Sequence, residues 1–311
     1  MASLLQAWSL GEVHSVTEVA GGATNWVCRV EASSGVSFLR LYRKADRRTA
    51  LREHGLIAYV RQRGIPAPLP VLSLAGETVV EREGQLCALY ESASGLQLAA
   101  GALSQDQAIA AGDMLAFLHA ITRDLPDVGY VRWNLAWDGP AWAERLSVVE
   151  RAILSCGVSS ETDEWALRRL CDQQRWLRDP ACLHTYSPAF SRQVTHGDYQ
   201  HANLFFDGPA LSAVIDWEQA AFMPPAYELV RAAAFLFRFD PALTRAFVDA
   251  YVDRRRMSTA ELLDGARAWA CFSDHHVWAL EEAYLNGNES AKRYIPHLPF
   301  RPFMAAWSEI T

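Results

Sequence analysis

His196-Gly197-Asp198-Tyr199-Gln200-His201-Ala202-Asn203 is one of two segments that decide how this chain is read; the other, Ile215-Asp216-Trp217-Glu218, places Asp216 thirteen residues past Asn203. From Val194 to Ile215 the pattern is one of short strands and loops. Moving toward the N-terminus, helices are expected over about 161–177 and 141–154, behind an aromatic-rich connection from Trp133 to Trp142. A capping box of Ser104 and Gln107 opens another helix through Leu115, Leu118 and Ile121. Ser92 to Gly95 is small and polar and reads as a hinge. Before it stand strand-like runs at Val13–Val19, Trp26–Val30, Val36–Tyr42, Thr78–Val80 and Leu86–Tyr90. One helix is inserted among them, capped by Asp46 and stopped after about Gln62 by Gly64 and Pro66. Toward the C-terminus, Asp240-Pro241 starts a helix, and Ser258 with Glu261 opens a long one expected to run through Tyr284. The expected fold is therefore α+β in two lobes. Residues 1–91 form a small antiparallel sheet lobe with one helix, 92–95 a hinge, and 96–311 a larger, mainly helical lobe.

The residue types in the two deciding segments suit phosphoryl transfer. That reaction needs a carboxylate to orient an acceptor hydroxyl and take its proton, and hard oxygen ligands to hold magnesium against the phosphates. Asp198 can do the first; Asn203 and Asp216 can do the second, with Val214-Ile215 fixing the direction of Asp216. Singly, each has a plain alternative as a turn residue, a cap or a solvated loop acid.

Composition narrows the choice. The 311 residues are 50% hydrophobic and 21% charged, as in an ordinary globular protein. A net charge of −7 argues against a general nucleic-acid surface and is compatible, weakly, with a cationic substrate. Cysteines at 28, 87, 156, 171, 182 and 271 form no Cys-x-x-Cys pair, so no zinc or thioredoxin-type motif is written, and reduced thiols in a cytosol are expected. No signal peptide or apolar span of membrane length is visible, which gives a cytoplasmic expectation.

The pattern H-G-D-x-x-x-x-N followed by I-D-W resembles the aminoglycoside phosphotransferase and choline-kinase group of the protein-kinase-like fold, over roughly residues 15–285. The resemblance implies Asp198 as catalytic base, Asn203 and Asp216 as Mg2+ ligands, and ATP as phosphate donor. His196 then holds the loop. Gln200 stands where protein kinases usually carry a phosphate-contacting Lys. Leu118-His119 looks like the family's Leu-His ending of the first large-lobe helix, with His119 buried and hydrogen-bonded. Glu228 falls where the family usually has an Asp that braces the catalytic loop; it can do that work on a longer stem or be a helix-start acid.

In the first lobe, Gly21-Gly22-Ala23-Thr24-Asn25 lies between two strands. Gly22 and Thr24 suit a phosphate-cradling loop, though the run also reads as a hairpin turn. The strand cation is Arg40, where the family commonly has Lys, with Glu53 on the next helix as its partner. Alternation puts Phe38 and Arg40 on one face; Arg43 or Lys44 serves if the strand is read differently. The plain alternative is a surface ion pair worth roughly 0–1 kcal/mol. The resemblance points to Glu91 and Ala93 as the hinge groups facing adenine.

After Asp216 the chain reaches Met223-Pro224-Pro225 and a helix, leaving no room for a peptide platform, so the acceptor is expected to be a small molecule. Relatives of this kind act on amino alcohols, hydroxy amino acids, sugars or aminoglycosides. Asp274, Trp278 and Glu281 are expected on one helix face, where they would receive an ammonium group or form a solvated face with one core Trp. Competing readings are an antibiotic-inactivating kinase and a nucleotide-binding pseudokinase without turnover; oligomeric state is left open.

Overall fold

The structure is a computed structural model that describes residues 2–19, 25–43 and 46–310. After a short α1 (Ala2–Leu5), strands β1 (Val13–Glu18), β2 (Trp26–Ala32) and β3 (Gly35–Leu41) form a meander. Next come α2 (Arg47–Gln62), β4 (Val80–Arg82) and β5 (Gln85–Glu91). The five strands make one antiparallel sheet in the order β1-β2-β3-β5-β4. Alternation along β3 buries Leu39 and Leu41 against Val30, Cys87, Leu89 and Trp8, and turns Phe38 and Arg40 to the other face. The Asp46 carboxylate accepts the Thr49 N–H at 2.7 Å and so starts α2.

Past residue 95 the chain forms β6 (Leu96–Gln97), α3 (Gln105–Thr122), α4 (Gly139–Cys156) and α5 (Glu161–Leu177). Short strands follow: β7 (Gln193–Thr195), β8 (Leu204–Asp207), β9 (Ala210–Val214) and β10 (Ala221–Met223). β6, β8 and β9 make one small sheet and β7 and β10 another. The chain ends with α6 (Pro225–Phe237), α7 (Pro241–Arg254), α8 (Thr259–Ser273), α9 (Trp278–Tyr284) and α10 (Phe303–Trp307). The main core joins α3, α6, α7 and α8 through Leu115, Leu118, Leu229, Leu236, Phe247 and Trp269. At Gly265 a Cβ would stand 2.4 Å from the Ala226 carbonyl carbon, so α8 and α6 meet backbone to backbone. A second cluster, with Leu146, Ile153, Leu170 and Leu280, binds α4, α5 and α9.

The long helix expected from Ser258 to Tyr284 is two helices. Ser258 accepts the Glu261 N–H, and α8 ends at Ser273. The His275 ring bonds the Cys271 carbonyl at 2.8 Å, taking the acceptor that the next helical turn would use. Asp274 turns inward, accepting from Trp176 Nε1 at 2.8 Å and Phe303 N at 3.0 Å.

Candidate active site

β7 delivers the chain to His196, which is fully buried. Its Nε2 donates to the Ile215 carbonyl at 2.9 Å, and its Nδ1 accepts the Asp198 N–H at 3.2 Å. Gly197 follows with φ +81, and a Cβ there would lie 1.8 Å from the Gln219 carbonyl oxygen, so only glycine fits the turn. Beneath the turn sits Glu228, fully buried on the first turn of α6. Its carboxylate accepts the His196 N–H at 3.1 Å, the Gly197 N–H, and His119 Nε2–H at 2.8 Å. The Tyr251 hydroxyl donates to His119 Nδ1 at 2.7 Å. Burial pushes Glu228 up, but the His119 hydrogen bond, the neighbouring His119 and His196 rings and the Gly197 N–H bring it below the usual carboxylate range. Burial lowers His119 against the pull of the Glu228 carboxylate.

Asp198 emerges from this base partly exposed. Asn203 Nδ2 donates to its Oδ2 and to its backbone carbonyl, both at 2.8 Å, and Gln200 Nε2 donates to Oδ2 at 2.8 Å. Arg231 Nη2 donates to Oδ1 at 2.5 Å. The Ile215 N–H bonds the Asn203 carbonyl at 2.9 Å, which sets Asp216 next to Asn203. Asp216 is in the left-handed region, φ 64 and ψ 65. A non-glycine residue held there is strained, which is common at functional sites.

Arg40 spans the two lobes. Nη1 donates to Glu53 at 2.8 Å and Nη2 to Asp216 at 3.1 Å, with the guanidinium 5.1 Å from the Tyr90 ring centre. Burial pushes Glu53 up to about 7 against the pull of Arg40. Arg43 is exposed and lies over Trp26 at 5.0 Å, away from this contact. Gly22, Thr24 and Lys44 lie outside the described residues. Just after them, Asn25 donates its side-chain amide to Glu218 and accepts the Arg43 N–H at 3.2 Å. Glu91 ends β5; its N–H donates to the Leu69 carbonyl and its carboxylate accepts the Leu69 N–H, both at 3.0 Å. Ala93 is half-buried in the turn beyond.

Asp274, Trp278 and Glu281 do not share a helix face, because α8 stops before them. Asp274 is buried on Trp176 and Phe303, and burial pushes it up to about 6. Trp278 packs on Tyr294, with ring centres 5.6 Å apart. Glu281 accepts from Arg145 at 2.5 Å and lines an open cavity of about 560 Å³ with Trp137 and Trp142. Sequence reasoning missed Arg231, which is 33 residues beyond Asp198 and on a different element. A cation one helical turn after the bracing Glu228 was the available signal.

This constellation can orient a hydroxyl at Asp198, hold phosphate charge at Arg40, and offer oxygens at Asn203 and Asp216. Residues 15–260 match a family described as the phosphotransferase enzyme family. A homoserine kinase of Methylobacillus glycogenes is 26% identical over 273 residues, covering 84% of this chain and 77% of that one. The fold also aligns with a spectinomycin phosphotransferase in complex with ADP and spectinomycin, at a TM-score of 0.61, 13% identity and coverage of 98% and 96%. A microcompartment-associated aminopropanol kinase aligns at a TM-score of 0.58, with 19% identity and coverage of 96% and 100%. The chain belongs to the phosphotransferase enzyme family, has the protein-kinase-like fold, and is an ATP-dependent kinase of a small-molecule hydroxyl.

Proposed function

We propose that the protein transfers the γ-phosphate of ATP, with magnesium, to the hydroxyl of a small hydroxy acid, a hydroxy amino acid fitting best. The observation that carries the acceptor class is Arg231. Its Nη2 occupies Asp198 Oδ1, while its Nη1 is buried with no partner among the described residues. Phe235 and Trp269 wall the guanidinium at 4.6 and 5.7 Å. A guanidinium binds a carboxylate through two parallel hydrogen bonds. An acceptor carrying a carboxylate near its hydroxyl takes Arg231 and frees Asp198 to bond that hydroxyl. A neutral sugar or an amino alcohol leaves Asp198 paired. The homoserine kinase named above is, by its name, a kinase of such a hydroxy amino acid.

The reaction then proceeds on the chain's own groups. Asp198 orients the hydroxyl toward the γ-phosphate and accepts its proton late in the transfer. Arg40, fixed by Glu53, holds the phosphates, together with the segment around Gly22 and Thr24. The backbone of Glu91 and Ala93 faces adenine; since the Glu91 N–H is already bonded, its carbonyl is the group available. Asn203 and Asp216 fit magnesium. Asn203 spends its amide N–H2 on Asp198, which leaves its carbonyl oxygen as the donor, and Asp216 adds a carboxylate. When bound, the ion neutralises phosphate charge. In this reading residues 1–91 bind nucleotide, 92–95 are the hinge and 96–311 carry catalysis and the acceptor. No described helix is long and apolar enough to cross a membrane, and a cytoplasmic location supplies ATP.

Homoserine and 3-aminopropanol differ only by the carboxyl group. ADP release should favour homoserine by on the order of 10⁴–10⁵-fold in kcat/KM, as for a site whose polar group is left unpaired by the lesser substrate. Arg231→Leu should erase the difference. Equal use of both by the parent enzyme overturns the acceptor assignment.

A further inference from the structure

Away from the cleft, three metal-ligating side chains meet where residues 182–185 pass the junction of α8 and α9. Cys182, His184 and His275 present ligand atoms within 4.8 Å of one another. Cys182 and His275 are buried and His184 is half-buried. His184 Nδ1 and His275 Nε2 are 2.9 Å apart. The pairing of His275 Nδ1 with the Cys271 carbonyl, at 2.8 Å, puts the proton on Nδ1 and the lone pair of Nε2 toward the cluster. A backbone carbonyl in that place is the usual outer partner of a metal-bound imidazole. Trp137 stacks flat on His275, with ring centres 4.7 Å apart and planes 15° off parallel, fixing its orientation. Two segments hold the cluster from outside: Trp137 N–H bonds the His184 carbonyl, and Trp142 Nε1 bonds the His275 carbonyl, both at 2.8 Å.

We propose that Cys182, His184 and His275 bind one zinc ion, with water as fourth ligand, which clamps residues 182–185 onto the α8–α9 junction. One thiolate and two imidazoles suit zinc, whereas magnesium and calcium take oxygen ligands. Binding releases the Cys182 thiol proton to solvent and shifts the His184 ring proton from Nδ1, where it bridges to His275 Nε2, to its own Nε2, so that both facing nitrogens offer lone pairs. The clamp has a consequence for the cleft. His276, next to His275, stacks on Phe272 at 5.3 Å; Phe272 stacks on Trp269 at 5.5 Å; and Trp269 walls Arg231. Zinc therefore fixes the far end of the aromatic row that lines Arg231. The signal escapes a search for Cys-x-x-Cys, because it is Cys182-x-His184 with its third member 91 residues beyond His184.

The experiment is metal analysis of the full chain purified without chelator. One zinc per chain is expected, falling well below one in Cys182→Ser and His184→Ala and unchanged in Asp216→Ala. Cobalt exchanged into the parent should give a sulfur-to-metal charge-transfer absorption, absent in Cys182→Ser. A chelator should lower the melting temperature of the parent but not of His184→Ala, whose half-buried position keeps that variant foldable. Parent protein without stoichiometric zinc and without the cobalt band overturns the site. So does zinc retained equally by both ligand variants.

Discussion

Glu228 and Asp198 are carboxylates a few residues' reach apart, yet they stand in opposite circumstances. Glu228 is fully buried, and its partners are backbone N–H groups and a buried imidazole. Asp198 is half-buried, and one of its partners is the charged side chain of Arg231, which the acceptor draws away in the function proposed above. Asp216 has the same arrangement with Arg40. The buried base of the loop is thus built from permanent bonds and its open face from exchangeable ones. A residue's fixed partners set stability; its exchangeable partners set chemistry.

The largest expected effect lies on the open face. Asp198→Asn keeps the shape but removes charge and basicity, so turnover should fall roughly 10²–10⁴-fold. Nucleotide affinity and melting temperature should stay near parent values. Paired measurement of binding and acceptor phosphorylation decides; loss of nucleotide binding as well would make Asp198 structural and break the contrast. On the buried side, Glu228→Gln sets an amide N–H2 against existing N–H donors, leaving buried groups unpaired. Chemical denaturation should show a loss of about 2–3 kcal/mol, with a smaller change in turnover than at Asp198. A Glu228→Gln enzyme of parent stability would erase the distinction.

Glu53 gives the finest test, since it is buried like Glu228 but bonded to a cation. Burial raises it to about 7, so the protonated form is favoured in the fold. That contribution is full below the ordinary carboxyl range and is lost as pH rises through about 7. Denaturation midpoints should therefore decline over that window in the parent and less so in Glu53→Gln. Identical slopes in the two would show that Arg40 compensates burial fully.

The catalytic loop was legible in the sequence because its contacts are short-range. Asn203 reaches Asp198 across five residues, and β9 leads straight into Asp216, so the interval itself encodes the geometry. Strands β2, β3 and β5 and the helix α2 were legible through alternation and the Asp46 cap, whereas the run expected at Thr78–Val80 meets β4 only at Val80. Arg231 and the end of α8 were not, because each depends on a partner supplied by the tertiary fold. Arg231 is defined by a contact between elements, and α8 ends where the His275 ring captures a carbonyl and Trp176 and Phe303 draw Asp274 inward. Helical periodicity continues through such a break, which is why Asp274, Trp278 and Glu281 looked like one face.

Residues 217–224 run from Asp216 to α6 as a tight turn, the strand β10 paired to β7, and Pro224, with Pro225 opening the helix. Every part of that path is committed to structure. An enzyme with such a path carries no segment there that a regulator can fold or unfold to turn it on.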